Sequence, residues 1–404
     1  MKNGNDKRPA VLGGVPASPK SIPVSCPTLD EYDKIEREFR SVFKSGIITR
    51  GKYLEEFERR IAAYVGVKQA VAVSSNTSGL LLVLKAMGLK GEVLVPSFTF
   101  SVTGHVLAWN NLTPVFVDAD PETCLIDPRA VEAAVTSRTC AILGVHVWGN
   151  PCPVTELQAI ADRYGLVLLF DSAQAMGSKY KGVPLGRFGR AEVFSCSPTK
   201  LLTSCEGGLV TTNDPELARL IRIGRNYGDD GSYDCEYEGL NARMSELHAV
   251  VGLASLEMLD QNLKRRHELV GRYTSRLEKI SGLRLPRITP GGEANGVYFS
   301  ILIEEEEFGM SADQLGVALK AENIETRRYY YPPLHRQRVN AELTAAYEGR
   351  LPNTECIARR SLTLPIYSHM AVSDVDLICK AVARIHIYRQ TVRLALTRNG
   401  ASHE

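Results

Sequence analysis

Apolar residues near the start of the structured chain recur at Leu54, Phe57, Ile61 and Tyr64, the 3.6-residue spacing that predicts an amphipathic helix, and Gly66 stands where that helix should stop. Beyond it the pattern changes to short β-branched runs at 70–74, 92–96, 114–118, 140–146, 166–171, 191–197 and 207–212, which predict seven strands. Helical spacing intervenes at 77–87, with Leu80, Leu84 and Met87 on one face, and at 153–164, with Leu157, Ile160 and Ala161 on one face. Alternating strands and helices imply an α/β architecture, a mostly parallel sheet covered on both faces, in which ligands sit beyond the carboxyl ends of the strands. After Gly239 the pattern predicts one long helical region through Met258 to Leu277, and residues 280–390 return to a strand at 297–304 and helices at 312–321 and 374–389.

A chain of 404 residues exceeds what one core usually serves. The expected organisation is an N-terminal arm over 1–27, lying on the surface or on a partner subunit, a large domain over 28–260 and a smaller α+β domain over 261–404. Forty-eight basic residues against 46 acidic ones leave a net charge of +2, no electrostatic footprint for nucleic acid or an anionic membrane. The N-terminus carries no apolar run of signal-peptide length, and no stretch is apolar enough to span a bilayer, which predicts a cytoplasmic protein. Nine cysteines, an odd number without CxxC pairs or metal-ligand spacing, read as free thiols, and no metal site is expected.

The strand ends carry the candidate chemistry. The run at 166–171 ends in Asp171, followed by Ser172, Ala173 and Gln174; such a carboxylate caps the next helix or meets a cationic ligand. Next come Phe194-Ser195-Cys196-Ser197-Pro198-Thr199-Lys200 and then Glu206-Gly207-Gly208. A lone lysine is usually a solvated charge, but the paired glycines here let backbone approach a ligand. Ser74-Ser75-Asn76-Thr77-Ser78 leads from a strand into a helix, either as an ordinary N-cap or as a phosphate cradle of free amides and aligned dipoles. Pro96-Ser97-Phe98-Thr99-Phe100 places aromatic rings after a strand, for the core or for stacking on a flat cofactor. Together these are the parts needed to hold pyridoxal phosphate: a phosphate cradle, an aromatic ring, a carboxylate and a lysine.

At these residues the chain resembles the sugar aminotransferases of the DegT/DnrJ/StrS family, over roughly residues 28–390. Matching segments are 45–51, 96–100, 115–118, 171–177, 195–208 and 239–244. The resemblance implies the fold type I architecture of pyridoxal-phosphate-dependent transferases, with a homodimer as the working unit and active sites shared between subunits. It also implies a role for each position. Lys200 would form the Schiff base and Asp171 bind the ring nitrogen; Ser75, Asn76, Thr77 and Ser195 would hold the phosphate, with Asn241 reaching it from the neighbouring subunit. Phe100 would stack on the ring and Gln174 lie near its phenolic oxygen, while Ile48, Arg243, Tyr329, Tyr331 and His335 would lie along the substrate. The implied donor is L-glutamate and the implied acceptor a nucleotide-activated keto-deoxysugar, aminated at C4 of a 4-keto-6-deoxyhexose, with C3 or a keto-cyclitol as alternatives. Asn76 departs from the family, which usually has glycine there. Relatives that dehydrate sugars with the same cofactor carry histidine in place of Lys200, so Lys200 selects transamination over dehydration. A non-catalytic regulator with the same fold is the alternative from outside enzymology.

Overall fold

The structure, a computed structural model, describes residues 8–29 and 32–400. Residues 1–7 of the expected arm and 401–404 of the expected second domain lie outside the described residues. The first part of the chain forms helices α1 (Tyr32–Ser45) and α2 (Lys52–Val65), strand β1 (Gln69–Val73), α3 (Asn76–Ala86), β2 (Glu92–Pro96), α4 (Val102–Trp109), β3 (Thr113–Val117), α5 (Pro128–Ala133) and β4 (Thr139–Val145). There follow α6 (Val154–Tyr164), β5 (Val167–Asp171), the two-residue strands β6 (Lys179–Tyr180) and β7 (Val183–Pro184), β8 (Ala191–Ser195), β9 (Gly208–Thr212), α7 (Pro215–Gly224), α8 (Glu246–Glu257) and α9 (Leu259–Leu277).

Seven of these strands form one sheet in the order β1-β9-β8-β5-β4-β2-β3. All are parallel except β9, which runs antiparallel to both β1 and β8. Because side chains alternate along a strand, each strand feeds both faces. Ala70, Ala72, Leu94, Ile142, Leu168 and Phe170 pack with α2, α6 and α8 in one core. Val71, Val73, Val93, Val95, Leu143 and Leu169 pack with α3, α4 and α7 in another. With apolar residues on both faces, the strands read as unbroken hydrophobic runs rather than alternating ones.

Local chemistry fixes the helix ends. Leu54, Phe57, Ile61 and Val65 form the buried stripe of α2, and Gly66 ends it with φ of 80°. The first turn of α2 has no cap of its own; instead the buried Glu246 carboxylate accepts from the amides of Gly51 (3.0 Å), Tyr53 (2.9 Å) and Leu54 (2.9 Å). Asp214 caps α7, with a proline at the first helical position.

The long helix expected from Gly239 to Leu277 is two helices after an irregular segment, α8 and α9 meeting at Met258. Ser245 caps α8 through its hydroxyl, so the helix begins there and residues 239–244 stay free for other contacts. The remainder builds a three-stranded antiparallel sheet from β10 (Leu283–Arg284), the strand β12 (Phe299–Ile303) and β13 (Ser361–Leu364), with β11 (Gly292–Glu293) pairing with β6. The helices Ala312–Ala321 and Val372–Ile387 and the side of α9 close over that sheet in a separate core.

The described part of the N-terminal segment packs on this second core, with Val11, Leu12 and Ala17 against it. Ile22 is buried in it and pairs with Ile324, and the Val24 carbonyl accepts from Ile366 N at 3.1 Å. The fully buried Glu322 carboxylate accepts from Ala10 N at 2.9 Å and Ala17 N at 2.8 Å, and it pairs with Arg384.

Candidate active site

The carboxyl ends of β2, β4, β5 and β8 and the start of α3 open onto one cavity of about 330 Å³. Ser75, Asn76, Thr77, Phe100, His146, Asp171, Gln174, Ser195, Lys200, Glu206 and Tyr298 are among its lining residues, and Tyr329 and Tyr330 close it from the second unit. The four strand ends that were each ambiguous alone, at 74–78, 96–100, 171–174 and 194–208, therefore meet at one place.

The floor is Asp171, the last residue of β5 and nearly fully buried. Its Oδ2 accepts from Thr103 Oγ1 at 2.9 Å, and its Oδ1 from Ala173 N at 3.1 Å and Asn76 Nδ2 at 3.2 Å. Burial pushes the Asp171 carboxyl above the ordinary carboxylate range, while the bonds from Thr103, Ala173 and Asn76 and the charge of Lys200 pull it down. A buried carboxylate in this state favours a cationic partner, because a positive charge beside it removes the main cost of its ionisation.

At the other end of the cavity α3 begins. Ser75 is its N-cap, bonded through Oγ to Ser78 N, with Ser78 reaching back to Ser75 N. The next amides, of Asn76 and Thr77, belong to the first turn and have no intrahelical acceptor. They point the helix N-terminus at the cavity, an arrangement that receives a phosphate. Gly208, at the start of β9, lies so close that a Cβ there would sit 2.4 Å from the Ser75 carbonyl carbon and 2.6 Å from Asn76 N. Only glycine lets β9 run beside the cradle.

Lys200 sits on the loop between β8 and β9, and its Nζ donates to Tyr298 Oη at 3.1 Å. Phe100 presents a 57% exposed ring at the wall, tilted toward Tyr330 at 6.2 Å between centroids. Gln174 accepts from Trp148 N at 2.6 Å and donates to Tyr330 Oη. Burial pushes Tyr330 well above the usual phenol value and Tyr329 up to about 12, so both remain neutral donors across physiological pH.

The Asn76 side chain is engaged with Asp171 and, at 2.8 Å, with the Val193 carbonyl, so what it offers an anion is its backbone amide at the helix N-terminus. Two expectations need correcting. His335 does not reach the cavity; it is fully buried behind it, bonded to Ser97 Oγ at 2.7 Å and Glu355 at 3.2 Å, and burial lowers its pKa. Tyr331 lies outside the lining, half exposed beneath the Arg328 guanidinium at 4.8 Å, and its neighbour Tyr330 takes the inward position. Thr103, Tyr298 and Tyr330 were not singled out from sequence. Thr103 stands one turn beyond Phe100 with no distinguishing motif, and Tyr298 is 98 residues from the lysine it touches.

Ile48, Asn241 and Arg243 form a second group beside the cavity. Glu246 N donates to the Ile48 carbonyl at 2.8 Å, Asn241 pairs with Asn226 through the backbone, and Arg243 lies over the Tyr227 ring and bonds the Asn226 side chain at 2.5 Å. Ile48, Tyr227, Leu240 and Asn241 are all exposed there. Among the described residues no group of three or more His, Cys, Asp or Glu side chains could hold a metal ion, and no helix is long and apolar enough to cross a membrane.

A lysine and a buried carboxylate lining one cavity at the carboxyl edge of this sheet, with a free helix N-terminus opening onto it, define an aminotransferase of fold type I. The chain belongs to the DegT/DnrJ/EryC1/StrS aminotransferase family, whose sequence pattern matches residues 30–383. It is 33% identical to the dTDP-4-amino-4,6-dideoxy-D-glucose transaminase of Escherichia coli, over 89% of this chain and 98% of that one. It is 37% identical to the dTDP-3-amino-3,4,6-trideoxy-alpha-D-glucose transaminase of Streptomyces venezuelae, over 81% of this chain and 86% of that one. The solved structure of DesI in the presence of its TDP-sugar product superposes with a TM-score of 0.88 at 36% identity, covering 98% of this chain and 99% of that one.

Proposed function

We propose that the chain binds pyridoxal phosphate at Lys200 and transfers an amino group from L-glutamate to a nucleotide-activated keto-deoxysugar, at C4 of a 4-keto-6-deoxyhexose. The observation that carries this reading is the shared cavity of Lys200, Asp171 and the α3 N-terminus. The residues fit the cofactor: the Asn76 and Thr77 amides and the Ser195 hydroxyl suit its phosphate, Asp171 its ring nitrogen, and Phe100 one ring face. When bound, the cofactor supplies an electron sink for charge developing at the donor's alpha carbon.

The chain's own residues do the rest. Asp171, held by Thr103, Ala173 and Asn76, keeps a proton on the ring nitrogen. Lys200, once released as a free amine, takes the proton from the donor's alpha carbon, and the same amine serves in reverse for the acceptor sugar. Gln174 and Tyr330, bonded to each other, present neutral hydrogen-bonding groups to the cavity, and Gln174 would lie near the cofactor's phenolic oxygen.

For the sugar position, relatives named for 4-amino and for 3-amino products are similar to this chain to a comparable degree, so overall identity favours neither. The segments 146–152 and 205–208 resemble those of family members that aminate C4 of a 4-keto-6-deoxy sugar, which supports C4. The exposure of Ile48 and Asn241 supports a homodimer in which each subunit lends these residues and the half-buried Arg243 to its neighbour's site, with Asn241 reaching the phosphate. Tyr329, in the cavity, would meet the substrate. The nine free thiols fit a reducing, cytoplasmic setting.

The test is direct. Purified protein loaded with pyridoxal phosphate should be yellow, release 2-oxoglutarate when given L-glutamate, and convert a keto-sugar nucleotide to an amino sugar seen by mass spectrometry, with NMR fixing the carbon. A protein that takes no cofactor, or that consumes the sugar without releasing 2-oxoglutarate, would sink the proposal.

A further inference from the structure

We infer that Tyr298 is the positioning residue for the Lys200 amine, a fixed phenol on the second unit that holds the amine over the cavity whenever it is not joined to the cofactor. The bond is 3.1 Å from Lys200 Nζ to Tyr298 Oη, and the same oxygen lies 3.5 Å from Thr199 Oγ1. A phenol is both donor and acceptor, so it holds a charged ammonium through its lone pair and an uncharged amine through its proton. Among the groups that line the cavity this makes it suited to a lysine that changes protonation within a cycle.

What makes Tyr298 a positioning residue is how tightly its backbone is held. Asn295 donates through Nδ2 to the carbonyls of Gln174 at 2.8 Å and Met176 at 2.9 Å, and its Oδ1 accepts from Val297 N at 3.0 Å. Its own amide donates to Ser178 Oγ at 3.1 Å. The buried Arg266 guanidinium donates to the Val297 carbonyl at 3.3 Å and the Ile366 carbonyl at 2.6 Å. Gly149 leaves room for this stitching, since a Cβ there would fall 2.2 Å from Asn295 Oδ1. The segment 295–298 is thereby fastened to the loop after Asp171, and the tyrosine ring, itself 8% exposed, is packed by Tyr329 at 5.0 Å. Lysine has a long flexible stem, whereas this acceptor has almost no freedom; the geometry is imposed on the amine by the phenol.

The inference concerns the apoprotein as well as the loaded enzyme, and only its catalytic consequence rests on the function proposed above. In cofactor-free protein, Tyr298→Phe should let acetic anhydride label Lys200 about threefold faster or more, because one hydrogen bond to the amine is lost. Labelling of the other lysines and the melting temperature should stay the same. In loaded protein, the single-turnover rate with L-glutamate should fall about tenfold with the donor's apparent affinity unchanged, and affinity for pyridoxamine phosphate, which needs no lysine, should hold within about twofold. Unchanged Lys200 labelling overturns the inference, as does a fall in affinity for pyridoxamine phosphate together with the melting temperature. Failure of wild-type protein to take up cofactor would instead count against the proposed function, leaving the labelling result to decide the role of Tyr298.

Discussion

Asn76 and Asp171 are joined side chain to side chain at 3.2 Å, 95 residues apart in sequence, so the helix that receives an anion also steadies the carboxylate that receives a cation. Because the Asn76 amide also bonds the buried Val193 carbonyl, Asn76→Ala leaves two acceptors short of a donor. The expected result is a loss of roughly 1–2 kcal/mol in stability and about a tenfold weaker hold on pyridoxal phosphate. Denaturant unfolding and equilibrium dialysis measure the two; a variant that keeps full cofactor affinity would show that Asp171 is positioned without it.

Asp171 itself should oppose stability when no cofactor is present. Its folded carboxyl is held above the unfolded value by burial, so its contribution is greatest at low pH and is lost as pH rises through the folded value. Asp171→Asn should therefore raise the melting temperature of cofactor-free protein at pH 8 by about 2–4 °C while abolishing transamination. That advantage should shrink as pH is lowered. A variant less stable than wild type at pH 8 would contradict the sign.

Gly208→Ala tests the phosphate cradle without touching any charged group. The added methyl meets backbone atoms of Ser75 and Asn76, which cannot swing aside as a side chain would. Affinity for pyridoxal phosphate should fall about a hundredfold, or about 2.7 kcal/mol. A fluorescence titration that finds wild-type affinity would mean the cradle tolerates a shift of β9.

Glu246 joins two regions that sequence gave no reason to connect. Glu246→Ala removes the acceptor for three amides at the start of α2 and should cost about 2–4 kcal/mol, with Glu246→Gln costing roughly half as much. Chemical denaturation reads the loss.

The strands were legible because a parallel sheet buried on both faces writes itself as continuous apolar runs, and Leu168 to Phe170 is such a run. That Asp171 and Lys200 meet in one cavity was legible because each follows such a run and matches a family motif. The places of His335 and Tyr331 were not, because each depends on which way one side chain turns. His335 carries the right chemistry and faces Ser97 and Glu355. Tyr298 was invisible for another reason: the strand that positions it belongs to the second unit, and no local pattern encodes a contact made across 98 residues. The break at Met258 was missed because α8, buried on nearly every face, runs into the amphipathic α9 with no glycine or proline at the junction.

The buried Glu322 carboxylate sets an order of events during synthesis. Its partners Ala10 and Ala17 leave the ribosome first, and Glu322 follows them by more than 300 residues, with 312 positions separating it from Ala10. The leading segment must therefore wait, without these bonds, until Glu322 has emerged. A nascent chain stalled before residue 322 should leave residues 10–24 open to protease, and the released full-length protein should protect them.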